Sequence, residues 1–96
     1  MPLSTAQARA VAAHRFRALG DETRLRLLQA LKRDEQCVAD LMEITQLGQS
    51  LVSHHLRTLR SAGLVTVRRE GRWVFYALSP AAITAIKSVM NALEPR

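Results

Sequence analysis

Apolar residues in this chain follow a helical rhythm first and a strand rhythm later. Between Thr5 and Leu19, Ala8, Val11, Ala12, Phe16 and Leu19 recur near the three- and four-residue steps that stack side chains on one helix face. Gly20 punctuates that segment. Asp21 then reads as the N-cap of TRLRLLQALK, where Leu25, Leu28 and Leu31 make one apolar stripe. A shorter helix is expected from about Val38 to Ile44, with Val38, Leu41 and Met42 facing inward. After a break at Gln46 to Gly48, the segment QSLVSHHLRTLRSAG forms a fourth helix, and Gly63 stops it.

From Leu64 the pattern changes. LVTVRR and RWVFYAL are β-branched and aromatic runs separated by Glu70-Gly71, a two-residue hairpin signal in which glycine supplies the positive φ. Ser79-Pro80 is an N-cap followed by a first-turn proline, opening a last helix that runs to about Leu93. The predicted order is four helices, a hairpin and a helix, a mainly α fold with a β-hairpin. No linker, repeat or low-complexity stretch interrupts it, so residues 1–96 are expected to form one domain.

The fourth helix separates into two faces. At about 100° per residue, Val52, Leu56 and Leu59 lie together and can pack on the preceding helix. Ser50, Ser53, His54, Arg57 and Ser61 fall on the opposite arc; all can hydrogen-bond and none is acidic. A merely solvated face would mix Glu with Lys. Short hydroxyls and flexible donors instead suit phosphate oxygens and base edges in a major groove. A short helix, a turn and a second helix with a polar outer face are the parts of a helix-turn-helix, here about residues 38–62. The hairpin at 64–78 would follow as a wing with Arg68, Arg69 and Arg72 near its tip, where arginine can track the backbone or enter a minor groove.

Charge sharpens this picture. The formal net charge is +6, and twelve of the fourteen basic residues are arginine. Asp34 to Leu47 holds four acids and no base, whereas Gly48 to Leu78 holds five arginines against Glu70 alone. That separation favours an oriented surface for a polyanion, with double-stranded DNA as the expected partner. A hydrophobic content of 48% is enough for a core at this length. A single cysteine forms no intrachain disulfide and suits a reducing compartment. With no apolar run near the ~18 residues of a membrane span and no signal-peptide core in MPLSTAQARA, the expectation is a soluble cytoplasmic protein without a membrane partner. Neither a nucleophile with its base, nor paired acids, nor a glycine-rich phosphate loop is visible, which argues against an enzyme.

The runs DETRLRLLQAL, EQCVADL and QSLVSHHLRTLRSAGLVTVRREGRWVFYAL together resemble the ArsR (arsenic-repressor) family of bacterial winged-helix regulators, continuously over about residues 14 to 78. The resemblance implies a winged helix-turn-helix and a repressor that binds an inverted-repeat operator as a homodimer. It places Gln49, Ser50, Ser53, His54 and Arg57 on the recognition helix and Arg68, Arg69 and Arg72 on the wing. It also implies dimerisation through the first and last helices, about 5–19 and 80–93. Val11 would contribute from the first; Ile83, Ile86, Met90 and Leu93 form an apolar stripe on the last.

Many members of that family release DNA on binding metal, yet the family's two familiar sites are incomplete here. Where the resemblance implies a C-V-C pair, the sequence reads Cys37-Val38-Ala39. The positions implied for ligands on the last helix are Pro80, Ala82, Leu93 and Arg96, none a metal ligand. His54 and His55 are adjacent and diverge by about 100° on a helix, unlike a chelating pair; His55, nearer the packing side, is expected to partner a backbone group or water. No cofactor and no metal are therefore expected. The effector stays open among a redox signal or metal at Cys37, a site combining Cys37 with His14, a small molecule, or none. Cys37 itself is expected to cap the third helix. There the helix dipole favours a thiolate, while Asp34, Glu35, Asp40 and Glu43 oppose one. From another class, the fold could serve as a winged-helix module for a protein partner.

Overall fold

A computed structural model describes residues 5–95; Arg96, one of the positions compared with a metal site, lies outside them. Its elements are α1 (Thr5–Leu19), α2 (Glu22–Ala30), β1 (Gln36–Cys37), α3 (Val38–Thr45), α4 (Gln49–Ser61), β2 (Val65–Glu70), β3 (Trp73–Leu78) and α5 (Pro80–Ala92). The cap residues act where the sequence put them. Asp21 Oδ1 accepts from the Arg24 backbone N–H at 3.0 Å, and Ser79 Oγ accepts from the Ala82 N–H at 3.3 Å with Pro80 in the first turn. Helix α4 ends in a Schellman motif: the Leu64 N–H reaches Leu59 O and the Gly63 N–H reaches Arg60 O, both at 2.9 Å, with Gly63 at φ +73°.

The core lies where α2, α3 and α4 meet the start of β2. Leu27, Leu41, Val52, Leu56, Leu59 and Leu64 are its fully enclosed large side chains. The stripe expected on α2 is partly corrected: Leu28 and Leu31 are buried, but Leu25 is 46% exposed and Leu27 takes its place. On α1 only the C-terminal end is held by the core, through Ala18 and Leu19, while Val11 and Phe16 stay exposed. The rest of its apolar stripe faces α5, where Ala12 and Phe16 share a cleft with Ala85, Ile86 and Val89.

Two features of the sheet differ from the sequence expectation. Beyond the hairpin there is a third strand, β1, which pairs antiparallel with β3 through Gln36↔Tyr76 and Cys37↔Phe75, giving the order β1-β3-β2. A two-residue strand carries no alternation of its own; it forms because β3 offers an unpaired edge. The hairpin turn is also displaced by one residue. Glu70 pairs with Trp73, so the two loop residues are Gly71 and Arg72. Gly71, at φ +59°, occupies the first loop position, as the II′-type hairpin turn requires.

Between α3 and α4 the chain reverses through Gln46, whose φ of 59° and ψ of 33° lie in the left-handed region. Its Nε2 donates to Glu43 O at 2.8 Å and closes the turn. A left-handed conformation costs a non-glycine residue about 1–2 kcal/mol. Glycine would remove that strain but give up the Glu43 contact and add entropy to the unfolded chain. Gln46→Gly is therefore expected to raise stability by about 0.5 kcal/mol, a Tm increase of about 2–4 °C by calorimetry. Gln46→Val, β-branched in the same conformation, should lower it.

Candidate nucleic-acid interface

Helix α4 is presented by its own burial. Val52, Leu56 and Leu59 are fully enclosed, which turns the opposite arc outward. Gln49, Ser50, His54, Arg57 and Ser61 are exposed and Ser53 is half-buried, so the polar set named from spacing does share one accessible face. Two neighbours had escaped notice. Leu51, 44% exposed, adds an apolar contact of the kind that meets a thymine methyl. Thr58, whose Oγ1 donates to His54 O at 3.3 Å, lies between Arg57 and Ser61.

His55 faces the other way and is buried. Its partner is a side chain rather than the expected backbone group or water: Arg24 Nη1 lies 3.2 Å from His55 Nδ1. A guanidinium has no lone pair to offer, so Nδ1 must accept and the imidazole is neutral with its proton on Nε2. Burial is the main cause holding the His55 pKa below the ordinary histidine value; the charges of Arg24 and His54 add to it, and Asp21 opposes. Arg24 also donates through Nε to Ala18 O at 2.6 Å and through Nη2 to Arg17 O at 3.3 Å. One side chain thus holds the end of α1, the start of α2 and the buried face of α4.

The three wing arginines have different surroundings. Arg68 grips Glu35 with two bonds, Nη2 to Oε1 at 2.5 Å and Nε to Oε2 at 3.2 Å, and Glu70 Oε2 with Nη1 at 2.6 Å. Its guanidinium also lies 4.7 Å from the Phe75 ring centre. These bonds hold the Glu35 carboxyl below the usual carboxylate range and keep Arg68 charged at any accessible pH. Its guanidinium is therefore committed within the chain, fastening the wing to the loop before β1. Arg69 and Arg72 are exposed, and Arg72 lies 5.8 Å over the Trp73 ring at the tip.

Cys37 is the N-terminal cap residue of α3 and is half-buried. Its sulfur donates to Asp40 Oδ2 at 3.2 Å, and the same oxygen accepts the Cys37 backbone N–H at 3.4 Å. The fold brings Arg72 and Trp73 to the same shallow cleft as Cys37 and Val38. His14 is elsewhere, its Nε2 3.5 Å from Ser61 Oγ of α4, so the pairing of Cys37 with His14 is not assembled. Among the described residues no group of three or more His, Cys, Asp or Glu side chains could hold a metal ion. No helix of the described residues is long and apolar enough to cross a membrane.

Away from the polar face, α1 and α5 lie side by side. They enclose an apolar groove of about 440 Å³ between Ala8, Ala12, Val89 and Leu93. Leu93 is 73% exposed there; Val11 and Met90, 37% and 52% exposed, lie on the same two helices outside the groove. Ile86 packs partly into the core, and Ile83 lines a separate cleft with Leu31 and Leu78, so the expected stripe on α5 is divided between inside and outside. Arg15 Nε is buried without a hydrogen-bond partner beneath this surface.

A family model described as "Bacterial regulatory protein, arsR family" matches residues 21–67. A transcriptional repressor SmtB homolog of Synechocystis is 53% identical over 64 residues, 67% of this chain and 48% of its own length. The arsenical resistance operon repressor of Bacillus subtilis is 37% identical over 75 residues, 77% of this chain and 71% of its own. The chain belongs to the arsR family. Among solved structures, a homodimeric winged helix-turn-helix DNA-binding domain from Mycobacterium bovis superposes with a TM-score of 0.77. It is 26% identical, covering 95% of this chain and 86% of that one. The fold of this arsR-family chain is accordingly a winged helix-turn-helix, with α3 and α4 as the two helices and β2–β3 as the wing. The matched stretch spans about half the length of the first of these relatives.

The buried neutral His55 makes stability depend on pH in this arsR-family fold. Its folded pKa is depressed, so below about pH 6.5 the unfolded chain takes up a proton that the folded chain refuses. Its contribution is complete above that pH and is lost as pH falls toward the folded value. Urea midpoints measured from pH 7.5 to 5.5 should fall through this window. His55→Asn, whose Oδ1 can accept from Arg24 without titrating, should flatten the fall.

Proposed function

We propose that the chain is a sequence-specific DNA-binding repressor that acts as a homodimer on an inverted-repeat operator. The observation that carries this reading is the acid-free exposed face of α4, together with the exposed arginines Arg69 and Arg72 on the wing. Gln49, Ser50, Ser53 and His54, on its N-terminal half, would meet base edges, because the first turns of a recognition helix enter the groove. Arg69 and Arg72 would contact the backbone or the adjacent minor groove. Arg68 would act indirectly, by fixing the angle of the wing. The exposed Val11, Phe16, Met90 and Leu93 on α1 and α5 would be covered by a second copy, spacing the two recognition helices by about one turn of DNA, on the order of 34 Å.

Selection of bound duplexes from a random pool should return an inverted repeat, with affinity falling steeply as salt rises. Ser53→Ala and His54→Ala should weaken operator binding more than random-duplex binding. Arg72→Ala should weaken both alike and lower the salt slope by about one. A monomer at micromolar concentration, or binding indifferent to salt, would instead favour a protein-interaction module.

The reading carries no metal site of the kinds familiar in the family. Ala39 stands where a second thiolate would be needed, and Pro80, Ala82 and Leu93 offer no donor. A thiol-based signal has one observation in its favour, the cleft that Cys37 shares with Arg72 of the wing. Cys37→Ser is expected to keep operator affinity within about 1 kcal/mol. Zinc, arsenite and peroxide are expected to leave the wild-type complex intact in a gel-shift titration. Release by any of them that disappears in Cys37→Ser would make this cysteine the sensor.

A further inference from the structure

The polar face of α4 continues onto another helix. His54, Arg57, Thr58 and Ser61 line an open depression of about 360 Å³ whose remaining wall is His14 of α1. Its charged and titratable members are His14, His54 and Arg57, and no carboxylate lines it. Neither α1 nor α4 contains an acidic residue. The depression is thus a concave, donor-rich surface at the C-terminal half of the helix read as the recognition helix.

Length decides what such a surface would face. The thirteen residues of α4 span about 18 Å at 1.5 Å per residue, whereas the major groove is about 12 Å wide. With the first turns in the groove and the helix axis inclined across it, the last turns would reach its sugar–phosphate wall. Helix α1 lies against that end through the 3.5 Å contact between His14 Nε2 and Ser61 Oγ. A donor is left over in either tautomer. If Nε2 carries the proton it donates to Ser61, whose own O–H points elsewhere; if Nε2 accepts from Ser61, the Nδ1–H of His14 remains free.

We propose that His14 and Ser61, with Arg57, form a seat for one DNA backbone phosphate, so that α1 takes part in DNA binding as well as in packing. The inference rests on the DNA-binding reading above and adds a contact outside the helix-turn-helix and wing. Because a phosphate carries no sequence information, the contact anchors the helix without selecting bases.

The test compares wild type, His14→Ala and His14→Gln on the selected operator, on random duplex, and on operators carrying one uncharged methylphosphonate linkage at successive positions. His14→Ala should weaken operator and random duplex by the same factor, about 3- to 10-fold, as for one lost hydrogen bond. One linkage per half-site should weaken wild type more than His14→Ala when neutralised, because Arg57 and Ser61 still face that phosphate in the variant. His14→Gln, which keeps a side-chain donor, should recover most of the affinity. Should His14→Ala lose its thermal transition, Ser61→Ala replaces it in the same scan. Wild-type affinity in His14→Ala, or a variant that feels every linkage as strongly as wild type does, would overturn the phosphate seat alone. Wild-type protein that binds no duplex would remove the DNA-binding reading with it.

Discussion

Arg24 makes the contacts on which the presentation of α4 depends. Its guanidinium takes two carbonyls from the last turn of α1, lies 3.2 Å from the buried Nδ1 of His55 on α4, and stands 3.9 Å from Asp21 at the start of α2. Arg17 O also accepts from the Gly20 N–H at 3.2 Å, so the guanidinium matters most for the Ala18 carbonyl and for His55. The last carbonyls of a helix have no intrahelical donor, and a buried imidazole nitrogen without a bond carries a desolvation cost. A single planar group with five donors satisfies them together, and in doing so fixes how α1 crosses α4. Burial of Val52, Leu56 and Leu59 turns the polar face of α4 outward, and the junction at Arg24 sets where α1, with His14, lies against it.

The wing obeys a different constraint. A two-stranded hairpin has little stability alone, and this one gains a third strand at β1 and an ionic fastening at Arg68. Glu35 belongs to the acidic stretch that, in sequence, looked like the counterweight to a basic half. In the fold one of its acids holds the wing at Arg68, midway along β2. The basic surface left over is smaller than the arginine count suggests, but its position is fixed. Arg69 and Arg72 remain accessible because Arg68 is engaged, and Trp73 at the tip keeps a largely exposed indole beside Arg72.

Cys37 joins these two regions. It is both the end of β1 and the cap of α3, so its backbone belongs to the sheet while its thiol bonds to the first turn of the helix-turn-helix. An ordinary capping residue would be serine or aspartate. Asp40 supplies the reciprocal half of a capping box, accepting the Cys37 N–H from within the helix. Packing at such a junction is sufficient reason for a small residue, and the nearby wing turn is what gives the position any further interest.

Much of the architecture was legible in the sequence because local signals carry it. Helical periodicity placed the five helices, Asp21, Gly63 and Ser79-Pro80 marked their ends, and the change of period at Leu64 announced the hairpin. The two-faced character of α4 was legible for the same reason: burial of Val52, Leu56 and Leu59 follows from spacing alone. What the sequence did not disclose depends on residues far apart in the chain. The strand at Gln36–Cys37 exists because β3 has a free edge, and the Arg68–Glu35 pair spans 33 positions. The Arg24–His55 bond spans 31 positions and the His14–Ser61 contact 47, so no periodicity records either. Periodicity reports which way a side chain points from its own element. Which partner it meets is decided by how the elements cross, and that crossing is set by core packing and by the few polar groups that must be satisfied within it.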